Sequence, residues 1–286
     1  MTGMNMKLEE AAGLVVRDHS GVLQVTLNQP ETRNALSEDV VDSLFRVCAH
    51  VEGRSGDLRA VVLRGAGGVF CAGGDIKGFR QNFQDGGAAQ AIAVSNRRYG
   101  TLLQLIDNLP LLVVAGVEGA AMGGGVGLAA VADVVIATAG TKFSLTETTL
   151  GLPPAQIAPF VVARTGRHTA RRLMLTAARL DADGAARVGL VDQVVDDVAA
   201  LDAAIEKMID GVRRCAPSAN AMTKALVNAT TRLDSDALLD HSAQRFAEAM
   251  LSAEAKDGVS AFLKRARPTW AQPAQESTDA GIRGGA

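Results

Sequence analysis

The segments GVFCAGGDIKGF (68–79) and EGAAMGGGVGLAA (118–130) are the most informative stretches of the sequence, and we call them the first and second glycine loops. Gly73 and Gly74 allow the backbone of the first loop to approach a ligand without a Cβ in the way. The second loop places three consecutive glycines before a helix of small residues. Unpaired N–H groups at a helix N-terminus can hold a negative oxygen. One N–H from each loop, converging on one carbonyl, would form an oxyanion hole. Taken alone, each loop is better explained as a tight turn with close helix–strand packing.

A second pattern overlaps the second glycine loop. Gly125, Gly127 and Ala130 fit the G-x-G-x-x-A spacing of a dinucleotide-binding turn, and Glu147 follows about 20 residues later. Such a turn should directly follow its strand, whereas several residues separate the apolar run 111–117 from these glycines. Because no partner for hydride transfer is evident either, we expect no nicotinamide cofactor.

Strands and helices alternate before the first glycine loop. Leu14–Arg17 and Val22–Leu27 are β-rich runs, and the turn residues between them predict a hairpin. Ser37 begins a helical pattern with acidic residues in its first turn, where the helix dipole favours them. The continuous apolar run Leu58–Leu63 predicts a strand that is covered on both faces.

A similar cycle surrounds the second glycine loop. The pattern predicts a helix around Arg97–Asn108, a strand at Leu111–Val117, a helix at Val126–Ala132 and a strand at Val134–Ala137. Residues 79–96 are polar and interrupted by glycine, so we expect them to be irregular and mobile. Repeated units of this kind predict an α/β fold built from ββα-like turns.

The character of the sequence changes after residue 200. We expect a core at 1–200, a helical region at 201–268 and a disordered tail at 269–286. Apolar residues recur at helical spacing in four segments of the helical region, namely 201–214, 218–230, 234–253 and 254–266.

Composition excludes several classes of protein. Of 286 residues, 48% are hydrophobic and 3% aromatic, and the formal net charge is −2. The apolar content argues against disorder, and the missing basic surface and scarce aromatics argue against nucleic-acid binding. The longest uncharged run, 148–163, contains three prolines and is shorter than the roughly 20 residues of a membrane span.

The N-terminal sequence and the three cysteines bear on the location of the protein and on whether it contains disulfides or a metal. The N-terminus MTGMNMKLEE has no apolar signal region, so we expect a cytoplasmic protein. Cys48, Cys71 and Cys215 lie far apart and are odd in number, which argues against disulfides and zinc. We therefore expect no metal.

CAGGDIKGF and EGAAMGGGVGL, followed by KFSLTETTLGLPP (142–154), resemble the enoyl-CoA hydratase/isomerase (crotonase) superfamily. The resemblance runs from about Leu14 to Pro268, and it includes LNQPETRNALS (27–37) and ARLDADGAARVGLVDQVV (178–195). GLPPAQIAPFVVARTG (151–166) is closest to a subgroup of methylglutaconyl- and isohexenylglutaconyl-CoA hydratases.

This resemblance implies an overall architecture and a set of partners. The expected fold is the crotonase (ClpP/crotonase-like) spiral of repeated ββα units, followed by a helical C-terminal region that forms homotrimers or homohexamers. The expected substrate is an acyl-CoA thioester, with CoA as part of the substrate and no further cofactor. The implied enzyme class is a lyase that hydrates enoyl-CoA.

The resemblance also assigns catalytic roles. The N–H groups of Gly74 and Gly124 would hold the thioester oxygen, and Glu147 matches the second of two family glutamates. The first falls at Gly127, which has no side chain. An enoyl-CoA isomerase and a non-catalytic acyl-CoA-binding protein therefore stay open as alternatives. We also expect the missing side chain to leave an empty space that admits a bulkier acyl group.

The remaining predicted contacts with acyl-CoA lie in four parts of the chain. They are Arg33 and Ala35; Ala72, Gly73, Gly74, Asp75, Ile76 and Lys77; Gly124 and Pro154; and Phe262 and Lys264. Some have a simpler explanation: Asp75 as the cap of a helix from Ile76, Phe262 as a helix-interface residue, and the cations as solvated charges. Glu118 stands where the family usually has Asn, and we expect it to be a hydrogen-bonded loop residue.

Overall fold

The computed structural model of the protein describes residues 11–54, 56–75 and 89–272. Its strands are β1 (Leu14–His19), β2 (Val22–Leu27), β3 (Ala60–Gly65), β4 (Leu112–Val117), β5 (Ala120–Met122), β6 (Val134–Thr138), β7 (Lys142–Ser144), β8 (Arg179–Asp181) and β9 (Gln193–Val195). Its α-helices are α1 (Glu38–Gly53), α2 (Ala89–Asp107), α3 (Gly124–Ala130), α4 (Ala158–Thr165), α5 (Arg167–Thr176), α6 (Ala182–Arg187), α7 (Val198–Arg213), α8 (Pro217–Ala229), α9 (Ser235–Leu251) and α10 (Ala253–Leu263). Short 3₁₀ turns lie at Pro30–Thr32, Glu147–Leu150 and Thr269–Ala271.

Two sheets organise the core. The larger has the order β1-β2-β3-β4-β6-β9, and the smaller has the order β5-β7-β8. The predicted hairpin is confirmed, because β1 and β2 are antiparallel with Leu14 opposite Leu27. From β2 onward the larger sheet is parallel. Parallel neighbours need crossover connections, and the helices between the strands provide them.

The larger sheet is covered on both faces, as the apolar run of β3 predicts. Val61 and Leu63 point into the main core, whereas Val62 packs into a second cluster on the other face. That second cluster includes Leu201 and Ile205 from α7. The predicted division at residue 200 therefore falls in the first turn of a helix that packs on the sheet.

The start of α1 follows the sequence signal. The Ser37 side chain accepts a hydrogen bond from the backbone N–H of Val40 at 3.4 Å, and Glu38 and Asp39 lie in the first turn. This satisfies one of the unpaired N–H groups of the helix and places negative charge at the positive end of its dipole.

The prediction of irregular structure through residue 96 is wrong for 89–96. This stretch forms the first two turns of α2, which begins at Ala89. The segment from Ala89 to Tyr99 contains neither glycine nor proline and is rich in alanine. Its helix propensity therefore outweighs its polarity. The rest of that prediction, 79–88, lies outside the described residues.

The C-terminal region consists of the helices that the sequence predicts. Lys224 on α8 anchors this region to the core: its Nζ lies 2.8 Å from an Asp133 oxygen and 3.2 Å from the Leu111 carbonyl oxygen. The prediction of a disordered tail from residue 269 is wrong for 269–272: Thr269–Ala271 forms a 3₁₀ turn, and Trp270 Nε1 donates to the Arg214 carbonyl oxygen at 3.2 Å. The rest of the tail, from 273 onward, lies outside the described residues. Among the described helices, none is long and apolar enough to cross a membrane.

Candidate active site

The two glycine loops lie side by side. The Cys71 N–H donates to the Ala120 carbonyl oxygen at 3.1 Å, and the Met122 N–H donates to the Cys71 carbonyl oxygen at 2.9 Å. Gly73 has a φ of +95°, and a Cβ there would lie 2.7 Å from the Met122 oxygen and 3.4 Å from the Gly124 nitrogen. Only glycine fits this conformation and this close approach. The backbones of Gly73 and Gly124 are therefore neighbours.

The predicted oxyanion-hole donors are available for a ligand. Within the described parts of the chain, neither the Gly74 N–H nor the Gly124 N–H donates a hydrogen bond to another protein group. Gly124 is the first residue of α3, where an N–H has no partner within the helix. Two unpaired N–H groups from adjacent loops match the requirement for stabilising negative charge on a carbonyl oxygen.

The segment around Arg33 borders the first glycine loop. The Ala72 N–H donates to the Arg33 carbonyl oxygen at 2.9 Å, and the Leu36 N–H donates to the Gly73 carbonyl oxygen at 2.8 Å. Arg33 is exposed and Ala35 is half-buried. The structure thus brings these two predicted CoA contacts next to Ala72–Gly74.

Asn34 holds this segment in place, and sequence reasoning missed it. Its side-chain oxygen accepts from the Gln29 N–H at 2.9 Å, while its Nδ2 donates to the Ala66 oxygen at 2.9 Å and the Val69 oxygen at 2.6 Å. Asn34 is buried and has a φ of +57°, a region that asparagine tolerates better than most residues. The signal that the sequence carried is its place in the segment LNQPETRNALS (27–37), which does not single out Asn34.

Glu147 lies against the second glycine loop. The Gly123 N–H donates to the Ser144 carbonyl oxygen at 2.8 Å, and the 3₁₀ turn that begins at Glu147 folds back from there. A Cβ on Gly123 would come within 2.8 Å of Glu147 Oε1. The glycine at 123 therefore makes room for the carboxylate beside the Gly124 N–H.

The environment of Glu147 suits a proton-transfer group. Burial raises the pKa of its carboxyl above the ordinary value of 4.5, and a hydrogen bond to its own backbone N–H partly opposes this. Oε2 is buried and has no hydrogen-bond partner among the described residues. A carboxylate in this state is a stronger base than one in water, and it is suited to exchange protons with a ligand.

The expectation of an empty space at Gly127 is wrong. A Cβ at this position would lie 2.2 Å from Ile157 Cγ2, 2.9 Å from Ile157 Cβ and 3.5 Å from Leu103 Cδ1. Ile157 and Leu103 are buried core residues. Ile157 and Leu103 therefore occupy the space that a side chain at position 127 would need.

Tyr99 is a further residue near the loops that sequence reasoning missed. Its hydroxyl donates to the Gly124 carbonyl oxygen at 2.6 Å. The sequence predicts a helix at this position, around Arg97–Asn108, but no motif there marked Tyr99 as a neighbour of the glycine loops.

The half-buried position of the Glu118 side chain is explained by an ion pair. Its carboxylate forms an ion pair with Arg64, whose other guanidinium nitrogen lies 2.5 Å from Asp202 Oδ1 on α7. The pair ties the second glycine loop to β3 and α7, in line with the expectation of a hydrogen-bonded loop residue.

The other predicted contacts are dispersed. Pro154 is half-buried and its carbonyl oxygen accepts the Ala158 N–H at 3.1 Å. Phe262 is 83% exposed on α10, which packs against α9, and Lys264 follows the helix. Their roles in CoA binding stay predictions. Asp75 ends a described segment, so its predicted cap, together with Ile76 and Lys77, lies outside the described residues.

No metal centre is evident in the described part of the chain. It contains no group of three or more His, Cys, Asp or Glu side chains that could hold a metal ion. The three cysteines are free, and burial raises the pKa of the Cys71 thiol to about 12. The chemical groups that the described residues bring together at the two loops are the N–H groups of Gly74 and Gly124 and the Glu147 carboxyl.

The chain matches a known protein family and solved structures over most of its length. The family model for enoyl-CoA hydratase/isomerase matches residues 17–273. The solved structure of AtuE from Pseudomonas aeruginosa is 49% identical, with a TM-score of 0.88, and the match covers 91% of this chain and 100% of that chain.

Two sequence relatives carry different activity names. Enoyl-CoA hydratase AKT6-1 from Alternaria alternata is 31% identical over 263 residues, covering 91% of this chain and 85% of the relative. 1,2-Epoxyphenylacetyl-CoA isomerase from Escherichia coli K12 is 33% identical over 252 residues, covering 87% and 94%. The chain has the crotonase fold and belongs to the enoyl-CoA hydratase/isomerase family.

Proposed function

We propose that the protein adds water across the C2=C3 double bond of an enoyl-CoA thioester. The observation that carries this proposal is the position of the Glu147 carboxyl, with its raised pKa, against Gly123 and beside the unpaired Gly124 N–H. A base next to an oxyanion hole is what addition at C3 of a conjugated thioester needs.

One carboxyl group would serve both proton transfers. Glu147 takes a proton from water as the water oxygen forms a bond to C3. The C2=C3 electron pair moves towards the thioester oxygen, which the N–H groups of Gly74 and Gly124 stabilise as an enolate. The protonated Glu147 then returns its proton to C2, so the product is the 3-hydroxyacyl thioester and the carboxylate is regenerated. A second carboxylate at position 127 is not available, because Ile157 and Leu103 occupy the space next to Gly127.

We further propose a branched glutaconyl-type thioester as the substrate. The support is the resemblance of GLPPAQIAPFVVARTG (151–166) to that subgroup. An enlarged cavity at Gly127 does not contribute to this proposal, because Ile157 occupies the space.

Double-bond isomerisation is the second candidate. Moving a proton between two carbons requires one acid/base group, and the Glu147 carboxyl lies against the second glycine loop. The family that the chain matches is named for isomerases as well as hydratases.

A substrate panel tests these proposals. Crotonyl-CoA and branched glutaconyl-CoA are each incubated with the protein, and the products are identified by mass spectrometry. Gain of one water supports the hydratase, whereas an unchanged mass with a displaced double bond supports the isomerase. Binding without turnover of any thioester would support the non-catalytic alternative and contradict both activities.

We also propose that the C-terminal helices assemble the protein into a homotrimer or a homohexamer. The support is a set of large apolar side chains that are more than half exposed on α9 and α10, namely Leu239, Phe246, Met250, Leu251, Val259, Phe262 and Leu263. Large exposed apolar patches are typical of association surfaces. Light scattering coupled to size-exclusion chromatography measures the mass; a monomer would contradict the proposal.

A further inference from the structure

The second glycine loop contains three consecutive glycines at the point where it must hold a donor in place. Glycine loses more conformational freedom on folding than any other residue, so Gly123–Gly125 needs contacts from outside to fix its position. Two contacts restrain its ends. The Gly123 N–H donates to the Ser144 carbonyl oxygen at 2.8 Å. The backbone of Cys71 packs closely against Gly125, where an added Cβ would lie only 2.5 Å from the Cys71 oxygen. The middle glycine, Gly124, carries the proposed oxyanion donor.

Tyr99 contacts this middle residue. Its hydroxyl donates to the Gly124 carbonyl oxygen at 2.6 Å, a short and therefore favourable O–H···O distance. A Cβ on Gly124 would lie 3.5 Å from the Tyr99 hydroxyl and 3.6 Å from Cε1. The ring edge thus packs against the glycine while the hydroxyl binds its carbonyl.

We propose that Tyr99 is a positioning residue for the oxyanion hole, which holds Gly124 so that its N–H points at the thioester oxygen. The inference rests on the proposed function in that it takes the Gly124 N–H as a donor to bound thioester. It assigns a role to the single tyrosine of the chain.

Two further observations support this role. Burial, together with the nearby charge of Glu147, raises the pKa of Tyr99 well above its ordinary value, so the hydroxyl keeps its proton and stays a donor. The helix that carries Tyr99 is anchored independently by Leu102, Leu103 and Ile106, which are buried in the core. The hydroxyl is therefore not needed to hold α2 in place.

Tyr99→Phe tests the proposal, because it removes only the hydroxyl. We expect kcat for the best enoyl-CoA substrate to fall roughly 10- to 100-fold while KM changes little, since a displacement of about 1 Å at a catalytic group costs up to about 100-fold. Thr165→Val is the matched control: it removes a half-buried hydroxyl that donates to the Val161 carbonyl oxygen at 2.9 Å, at the C-terminal end of α4. The control should lower stability by a similar amount and leave kcat unchanged.

A spectroscopic measurement separates positioning from a loss of structure. N–H donors that polarise the carbonyl of a conjugated thioester shift its absorption to longer wavelength. We would bind 2,4-hexadienoyl-CoA to the Glu147→Gln protein, which prevents turnover, and compare it with Glu147→Gln/Tyr99→Phe. We expect a red shift in the first protein and a clearly smaller shift in the second.

The outcomes distinguish the two proposals. An equal shift with and without the Tyr99 hydroxyl, or an unchanged kcat in Tyr99→Phe, would overturn the role of Tyr99. A red shift that depends on Tyr99 in a protein that hydrates no enoyl-CoA would support the role of Tyr99 and contradict the hydratase. The absence of any shift in Glu147→Gln would overturn both.

Discussion

Gly124 and Gly127 lie three residues apart on α3, and the absence of a side chain serves opposite purposes at the two positions. The backbone N–H of Gly124 has no protein hydrogen-bond partner among the described residues. At Gly127, Ile157 takes up the space, and a Cβ would come within 2.2 Å of it. The N–H of Gly124 is thus unpaired, whereas the space beside Gly127 is filled by a core side chain.

This difference explains why position 127 carries no carboxyl group. A glutamate at 127 would have to displace Ile157, whose Cβ, and not only its flexible end, lies within 2.9 Å of the new Cβ. Overpacking a filled core forces strained side chains and backbone shifts. The proposed function therefore assigns both proton transfers to Glu147, which packs against Gly123.

The largest expected effect follows from that assignment. Glu147→Gln should lower kcat about 10²- to 10⁴-fold, the range for loss of a general acid/base, while acyl-CoA binding measured by calorimetry changes little. Glu118→Gln is the control, since this carboxylate pairs with Arg64; it should reduce stability without a comparable loss of kcat. Retained turnover in Glu147→Gln would show that another group replaces the carboxyl.

A smaller loss of kcat is expected from substitutions in the first glycine loop, which carries the Gly74 N–H. Gly73→Ala places a Cβ 2.7 Å from the Met122 oxygen at a φ of +95°, and it should move the adjacent Gly74 N–H and lower kcat by up to about 10²-fold. Gly68→Ala has a similar φ of +73° but open space around the Cβ. Steady-state kinetics of the two variants should therefore differ although both are strained; equal losses of kcat would contradict this view of the loop.

Substitutions at Gly127 and at its neighbour Ile157 should lower the free energy of unfolding. Gly127→Ala should cost about 1–3 kcal/mol by overpacking, and Ile157→Ala about 2–5 kcal/mol by leaving a cavity. The double variant should lose less than the sum, because each change relieves the other. Urea unfolding measures all three, and additive losses would show that the two residues do not compete for one space.

The smallest expected effect concerns pH. Because burial raises the pKa of Glu147 in the folded protein, the acidic limb of kcat/KM should lie above pH 4.5. The folded state then binds this proton more tightly than the unfolded state, so ionisation of Glu147 lowers stability as pH rises through the raised pKa. Glu147→Gln should therefore be more stable at neutral pH, and this gain should vanish below pH 4.5. Lower stability of the variant at neutral pH would contradict the burial argument.

Patterns of local origin were predictable from the sequence. The cap at Ser37, the β1–β2 hairpin and the C-terminal helices each depend on neighbouring residues, whose propensities and spacing are visible in one dimension. The two glycine loops and Glu147 also stood out, because their motifs resemble those of a family. The first turns of α2 did not, because a polar composition concealed a helix-forming segment.

Only the tertiary structure decided what each glycine is for. The sequence shows that Gly127 lacks a side chain, but the residue that fills its volume, Ile157, lies thirty positions further along the chain, and no sequence pattern links the two positions. The contact of Tyr99 with Gly124 likewise joins α2 to α3 through the fold. Local propensity and motif spacing are properties of the chain, whereas volume and hydrogen-bond partners belong to packed neighbours that the chain brings together from a distance.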